Sequence, residues 1–197
     1  MSTVALWHWR SLPLANRSAS EIFARLFSRD KIATLLESPN LTSPEQPQLT
    51  RYSICAGSPR IVDGKSQLWT PPVGEILPFL RSLLSQPTVS NSQVEPLPFT
   101  GGWLGWVGYD LAWEIEQLPN LNQDTLPFPV AYWYEPACFA VLDHLEQTLW
   151  LAATESQQLD QLEAQLSRPQ SSSSLAPSIS SPTFTFLTTQ DQYQNAV

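Results

Sequence analysis

The chain has 197 residues, 42% of them hydrophobic and 14% charged, with a formal net charge of −8. That length and apolar content suit one substantial core or two small ones and exclude a wholly disordered chain. Its ten basic residues are scattered without a run, which excludes a surface built to neutralise nucleic-acid phosphates. Eighteen prolines and the low charged fraction predict a loop-rich α+β fold of short elements, and the expected fold class is α+β with short helices and a mostly antiparallel sheet.

Val4 to Trp9 alternates as a strand, with Val4 and Leu6 on one face and Ala5, Trp7 and Trp9 on the other. Ser18 and Glu21 have the spacing of a capping box, and Ile22, Phe23, Leu26 and Phe27 behind them recur at helical intervals. Ile32 to Ser38 returns to a strand-like run that Pro39 breaks, and the polar, proline-rich stretch to Thr50 reads as a surface loop. Arg51 to Pro59 suits a strand ending in a turn, able to pair with Leu35 to Ser38. A helix is expected over Val73 to Ser85, with Ile76, Leu77, Leu80, Leu83 and Leu84 as its stripe and Pro78 tolerable only near the first turn. Gln86 to Pro98 is a polar connector.

Four of the seven glycines then fall within Gly101 to Gly108, interleaved with Trp103 and Trp106. Glycines clustered among aromatics mark places where a backbone bends or approaches another surface closely. A short helix around Asp110 to Gln117 follows, then strands near Val130 to Asp143 and Thr148 to Ala153, turned at His144 to Gln147. Ser156 to Ser167 is helical in pattern, with Leu159, Leu162 and Leu166 on one side. Arg168 to Pro182 has the serine- and proline-rich content of a linker, so a domain boundary is expected there. Beyond it, Thr183 to Leu187 alternates as a strand, and Thr189 and Gln192 have capping-box spacing ahead of a helix.

Candidate chemistry is sparse. The two histidines, His8 and His144, have no cysteine or carboxylate partner at ligand spacing, so no metal site is expected. Glycines at 101, 102, 105 and 108 do not spell a dinucleotide fingerprint, and no phosphate-binding Gly-Lys-Ser/Thr follows. Asp110, Glu114 and Glu116 read as a solvated face at a helix start, where acids are favoured. No catalytic residue is expected in this chain. Trp103, Trp106 and Trp113 form either a platform for a planar ligand or packing around the glycine-rich strand, and packing is favoured because large aromatics are mostly buried. Cys55 and Cys138 stand alone and read as reduced, buried thiols. Pro13 interrupts the first apolar stretch, and no run approaches the roughly 18 apolar residues of a membrane span. The expected location is cytoplasmic.

Four segments, in their order, resemble a known family. These are Leu35-Leu-Glu-Ser38; Arg51-Tyr-Ser-Ile54 with Gly57 and Pro59; Leu97 to Gly102 running through Gly108-Tyr-Asp110 to Glu116-Gln-Leu-Pro119; and Phe128-Pro-Val130. Together they resemble the amino-terminal domain of the component I subunits of aminodeoxychorismate synthase and anthranilate synthase. The resemblance implies the amino-terminal part of a sandwich of orthogonal sheets, spanning residues 1–167. Residues 168–182 are then the linker, and 183–197 the truncated start of the chorismate-binding domain. In that family the larger domain binds magnesium and chorismate and receives ammonia from a glutamine amidotransferase subunit. This chain is therefore expected to bind no cofactor and to be inactive alone. The aminodeoxychorismate branch, which serves folate synthesis, is preferred; anthranilate synthase, in tryptophan biosynthesis, and a stand-alone tryptophan-binding domain are the alternatives. The family's tryptophan pocket maps onto Glu37 and Ser38, with Arg51, Tyr52 and Ser53 as neighbours.

Overall fold

The computed structural model describes residues 6–37, 50–85, 94, 97–119, 127–168 and 188–196. Its elements in chain order are β1 (His8–Pro13), α1 (Ala19–Leu26), β2 (Thr34–Leu36), β3 (Tyr52–Ala56), β4 (Ile61–Val62), β5 (Lys65–Ser66), β6 (Leu68–Trp69) and α2 (Ile76–Leu84). There follow β7 (Leu104–Val107), a 3₁₀ turn (Tyr109–Leu111), α3 (Ala112–Ile115), β8 (Ala131–Tyr134), β9 (Cys138–Asp143), β10 (Thr148–Ala153), α4 (Ser156–Ser167) and α5 (Gln190–Ala196). The chain divides into two compact units, Met1–Ser167 and Arg168–Val197. The architecture is α+β with antiparallel sheets.

In the first unit a five-stranded sheet has the order β1-β10-β9-β3-β2, with every pairing antiparallel. At its centre β9 reads Cys-Phe-Ala-Val-Leu-Asp, an almost unbroken apolar run, because both of its faces are covered. Ala140 and Leu142 point with Leu149, Leu151 and Cys55 towards α1 and α4. Those helices supply Ala19, Ile22 and Leu26 on one side and Leu159, Leu162 and Leu166 on the other. The α1 capping box forms as its spacing requires: Glu21 N–H donates to Ser18 Oγ at 3.2 Å, and Ser18 N–H to Glu21 Oε2 at 2.8 Å.

The opposite face carries Phe139, Val141 and Ala152 and meets a three-stranded sheet of order β6-β8-β7 through Leu68, Leu104 and Tyr134. Phe139 is fully buried, and the rings of Trp7, Trp9 and Phe99 meet it edge-on at 4.8, 5.4 and 4.7 Å between centroids. Each such contact is worth about 0.5–1.5 kcal/mol beyond the area it buries. A hydroxyl pair, Thr34 Oγ1 to Tyr134 Oη at 2.8 Å, also bridges the two sheets.

Three local expectations are corrected. Of the strand expected over Val4 to Trp9, Val4 and Ala5 lie outside the described residues and Leu6 and Trp7 precede the strand, which runs His8–Pro13; it continues through Arg10 because Arg10 lies on the helix side and pairs with Asp160 and Glu163 of α4. Val130 to Asp143 is divided between two sheets: Glu135 and Pro136 carry the chain from β8 to β9, and the Arg60 guanidinium binds Glu135 with Nε–Oε2 at 2.9 Å and Nη2–Oε2 at 2.5 Å. Burial pushes the Glu135 carboxyl up, and Arg60 opposes that shift. The hairpin β4–β5 and strand β6 lie where the sequence reading places no element. Asp63 and Gly64 are their signal, adjacent residues with φ of 49° and 74°, the pair that a tight two-residue hairpin turn demands.

The second unit contains α5. Gln192 N–H donates to Thr189 Oγ1 at 3.2 Å and Thr189 N–H to Gln192 Oε1 at 2.9 Å, the reciprocal cap that the sequence spacing predicts. The loop from Pro39, most of the serine- and proline-rich stretch, and the strand expected over Thr183 to Leu187 lie outside the described residues. Among the described residues, no helix is long and apolar enough to cross a membrane.

Candidate functional site

Of the five residues mapped to a tryptophan pocket, the four described ones, Glu37, Arg51, Tyr52 and Ser53, sit at one end of the β2–β3 pair. Leu36 lies opposite Ile54, and continuing that register sets Glu37 across from Ser53. Glu37 is exposed, and its charge adds to the desolvation that pushes the buried Cys55 thiol up to about 12. Ser38 lies outside the described residues. Strand alternation separates the rest. Tyr52 packs on the face towards the three-stranded sheet, while Ser53, 1% exposed, points the other way with Cys55.

The polar groups of Arg51 and Ser53 are largely engaged by the β9–β10 turn. Arg51 Nε donates to both Asp143 oxygens at 3.1 Å, and its Nη2 reaches Oδ2 at 2.6 Å. Asp143 Oδ1 also accepts N–H bonds from Leu145 and Glu146, each at 3.0 Å, which closes the hairpin. Desolvation acts to raise the Asp143 carboxyl, but Arg51 and the two turn amides outweigh it and hold the group below the usual carboxylate range. His144 N–H bonds to the Arg51 carbonyl at 2.8 Å, and its Nε2 lies 2.9 Å from Ser53 Oγ. A hydroxyl that is 1% exposed is out of reach of a substrate, so this serine–histidine pair joins turn to strand and does not form a nucleophile. No local sequence signal marks Asp143 and His144 as members of this cluster, because they are 92 and 91 residues distant from their partners and the β3–β9 register brings them together.

The glycine-rich segment forms the second candidate surface. Gly101 and Gly102 have φ of +119° and +108°, and a Cβ on Gly101 would overlap the Trp7 indole, so glycine is required there on both counts. The segment leads into β7, an edge strand that pairs with β8 on one side. Trp106 is 41% exposed and stacks on Tyr132 with 6.4 Å between parallel rings, Val107 is 36% exposed, and Tyr109 is 91% exposed. Trp103 and Trp113 are half-buried, with their indole nitrogens shielded from solvent; Trp103 meets Trp69 edge-on at 6.4 Å. The packing reading therefore holds for Trp103 and Trp113, whereas Trp106 leaves much of its ring in solvent. Glu114 is no solvated acid: it accepts backbone N–H bonds from Gly74, Ile76 and Leu77 at 2.6, 2.7 and 2.9 Å.

The sequence profile that describes chorismate binding enzymes matches residues 38–197, across both units. The chain belongs to this family. Within the family, the anthranilate synthase component I-like protein of Synechocystis is 50% identical over 194 residues, which cover 97% of this chain and 39% of that protein. The aminodeoxychorismate synthase component 1 of Bacillus subtilis is 31% identical over 72% of this chain and 30% of its own length. The crystal structure of anthranilate synthase component I from Streptococcus pneumoniae aligns with a TM-score of 0.46 and 21% identity, over 80% of this chain and 37% of that one. The chain thus spans about two fifths or less of each of these relatives. Magnesium is the metal expected of the full-length enzymes, but among the described residues no three His, Cys, Asp or Glu side chains come together to hold an ion. No step through a metal is assigned to this chain.

Proposed function

We propose that the chain is the amino-terminal portion of an aminodeoxychorismate synthase component I, whose full-length form makes 4-amino-4-deoxychorismate from chorismate and glutamine-derived ammonia for folate synthesis. What supports the reading as part of a longer enzyme is the match to the Synechocystis protein, which takes in 97% of this chain but only 39% of the relative, and what supports the branch is the 31% identity to the Bacillus subtilis aminodeoxychorismate synthase component 1. Catalysis, with its chorismate, magnesium and amidotransferase partner, belongs to the remainder. Residues 183–197 are the first part of that chorismate-binding region, joined through the linker 168–182, and the 197 residues alone are inactive. The exposed edge of β7, with Trp106, Val107 and Tyr109, is where the remainder packs. Anthranilate synthase is the second reading, favoured by the printed name of that same relative.

The test is to supply this chain in trans with the part of the Synechocystis relative that lies beyond the match, then to incubate both with chorismate, ammonia and magnesium. The expected product is 4-amino-4-deoxychorismate, formed only when both pieces are present. Anthranilate as the product would move the chain to the other branch. Turnover by the 197 residues alone would overturn the assignment of catalysis to the remainder.

The family resemblance also gives tryptophan as a ligand, structural in the aminodeoxychorismate branch and regulatory in the anthranilate branch, contacted by Glu37 and Ser38 with Arg51, Tyr52 and Ser53 beside them. Since Asp143 and His144 engage Arg51 and Ser53, those two shape the wall, and the direct polar contacts fall to Glu37 and Ser38. Calorimetry with tryptophan on the reconstituted pair checks this. Saturable binding that is lost in Ser38→Ala supports it, and binding indifferent to that change removes Ser38 from the site.

A further inference from the structure

Helix α2 begins in a way its own sequence does not support. A helix leaves its first amide groups without partners inside the helix. Here Glu75 N–H bonds to the Pro72 carbonyl at 3.0 Å, and Pro78 has no N–H to satisfy, which leaves Ile76 and Leu77. Glu75, at the N-cap position, has helical backbone angles and makes no side-chain cap bond. Both remaining amides, and Gly74 before them, are taken by the Glu114 carboxylate, Gly74 and Ile76 bonding to Oε1 and Leu77 to Oε2. The cap comes from 37 to 40 residues further along the chain.

Glu114 lies on a piece of helix that is equally incomplete. Helix α3 has four residues, no side-chain cap of its own and no buried residue. A single turn of that length does not hold in water without outside contacts. Each element thus gains from the other: α2 obtains the cap it lacks, and α3, which has no buried residue and is otherwise held through the half-buried Trp113, obtains a polar tie.

We propose that Glu114 is a latch that joins the start of α2 to the end of the glycine-rich segment, so that the two order and fray as one unit. Its ionisation supports the geometry, because the three amide donors outweigh desolvation and hold the carboxyl below the usual range. The segment so held carries Tyr109 and Ile115, exposed at 91% and 65%. Anything that displaces that surface loosens the start of α2, and anything that frays α2 frees the surface. The inference stands on these bonds within the chain and does not depend on the docking role proposed above.

Residue-resolved amide exchange on the 197-residue chain tests it, with wild type compared to Glu114→Ala, Glu114→Gln and, as a control in the same segment, Asp110→Asn. Removing the carboxylate is expected to speed exchange about tenfold at Gly74, Ile76 and Leu77 and equally at Glu116, whose N–H bonds to the Ala112 carbonyl, with β9 and β10 unchanged. Glu114→Gln keeps the shape with one accepting oxygen and is expected to give a smaller acceleration at the same amides, and Asp110→Asn none. Unchanged α2 amides in both Glu114 variants would overturn the latch. So would acceleration at α2 with Glu116 unaffected, which describes a one-way cap, and so would uniform acceleration that includes β9, which describes general loss of stability.

Discussion

The two sheets of the first unit differ in how completely they are satisfied. The five-stranded sheet is covered on one face by α1 and α4 and on the other by an aromatic cluster around Phe139, and its central strand β9 is buried along nearly its whole length. The three-stranded sheet is covered on its inner face, but its edge strand β7 leaves Gly105, Trp106 and Val107 exposed, followed by Tyr109. Monomeric surfaces rarely leave several large apolar groups adjacent without a role in contact. The first sheet is therefore a self-sufficient core, and the second leaves exposed the surface on which the proposed remainder would pack. Substitutions in the first should cost stability in this chain, whereas those in the second should cost little here and more once the partner is present.

The largest effect expected is Phe139→Ala, which removes a fully buried ring touched by three other aromatics and should lower unfolding free energy by about 3–5 kcal/mol in urea denaturation. Asp143→Asn comes next. It removes the carboxylate that binds Arg51 and two turn amides, and should cost about 1–3 kcal/mol near neutral pH. The fold depresses the Asp143 pKa, so its contribution is complete above the ordinary aspartate value and is lost as pH falls through the lower folded value. Denaturation from pH 7 downward should show the gap between wild type and Asp143→Asn closing in that acid range, and a gap constant with pH would detach the effect from ionisation. The smallest effect is Trp106→Ala, expected within about 0.5 kcal/mol in this chain because the ring is well exposed. A loss as large as that of Phe139→Ala would erase the contrast between the sheets.

Sequence patterns revealed the elements of the self-sufficient half better than its connections. The capping pair Ser18 and Glu21 located α1, and Leu159, Leu162 and Leu166 located α4, because both signals act within a few residues. The sheet that a strand joins is not local information. Tyr132 and Tyr134 alternate much as Phe139 and Val141 do, yet Pro136 separates them into different sheets. The cluster at Arg51 and Ser53 was legible only in part for the same reason, since its partners Asp143 and His144 arrive through strand register. Glu114 misled for a related reason: an acid at the start of a short helix ordinarily serves that helix, and here it caps another. Asp63-Gly64, by contrast, is a local hairpin signal that the sequence itself carries.

The central claim is that β7 is an edge completed by the rest of a longer enzyme. It is tested most directly by amide exchange at Leu104 to Val107 before and after the remainder of the Synechocystis relative is added in trans. Slowed exchange at β7 and the adjoining Tyr109–Leu111 turn, with β9 unchanged, is the result the account predicts. A complex that forms while β7 exchanges as fast as it does alone would contradict it.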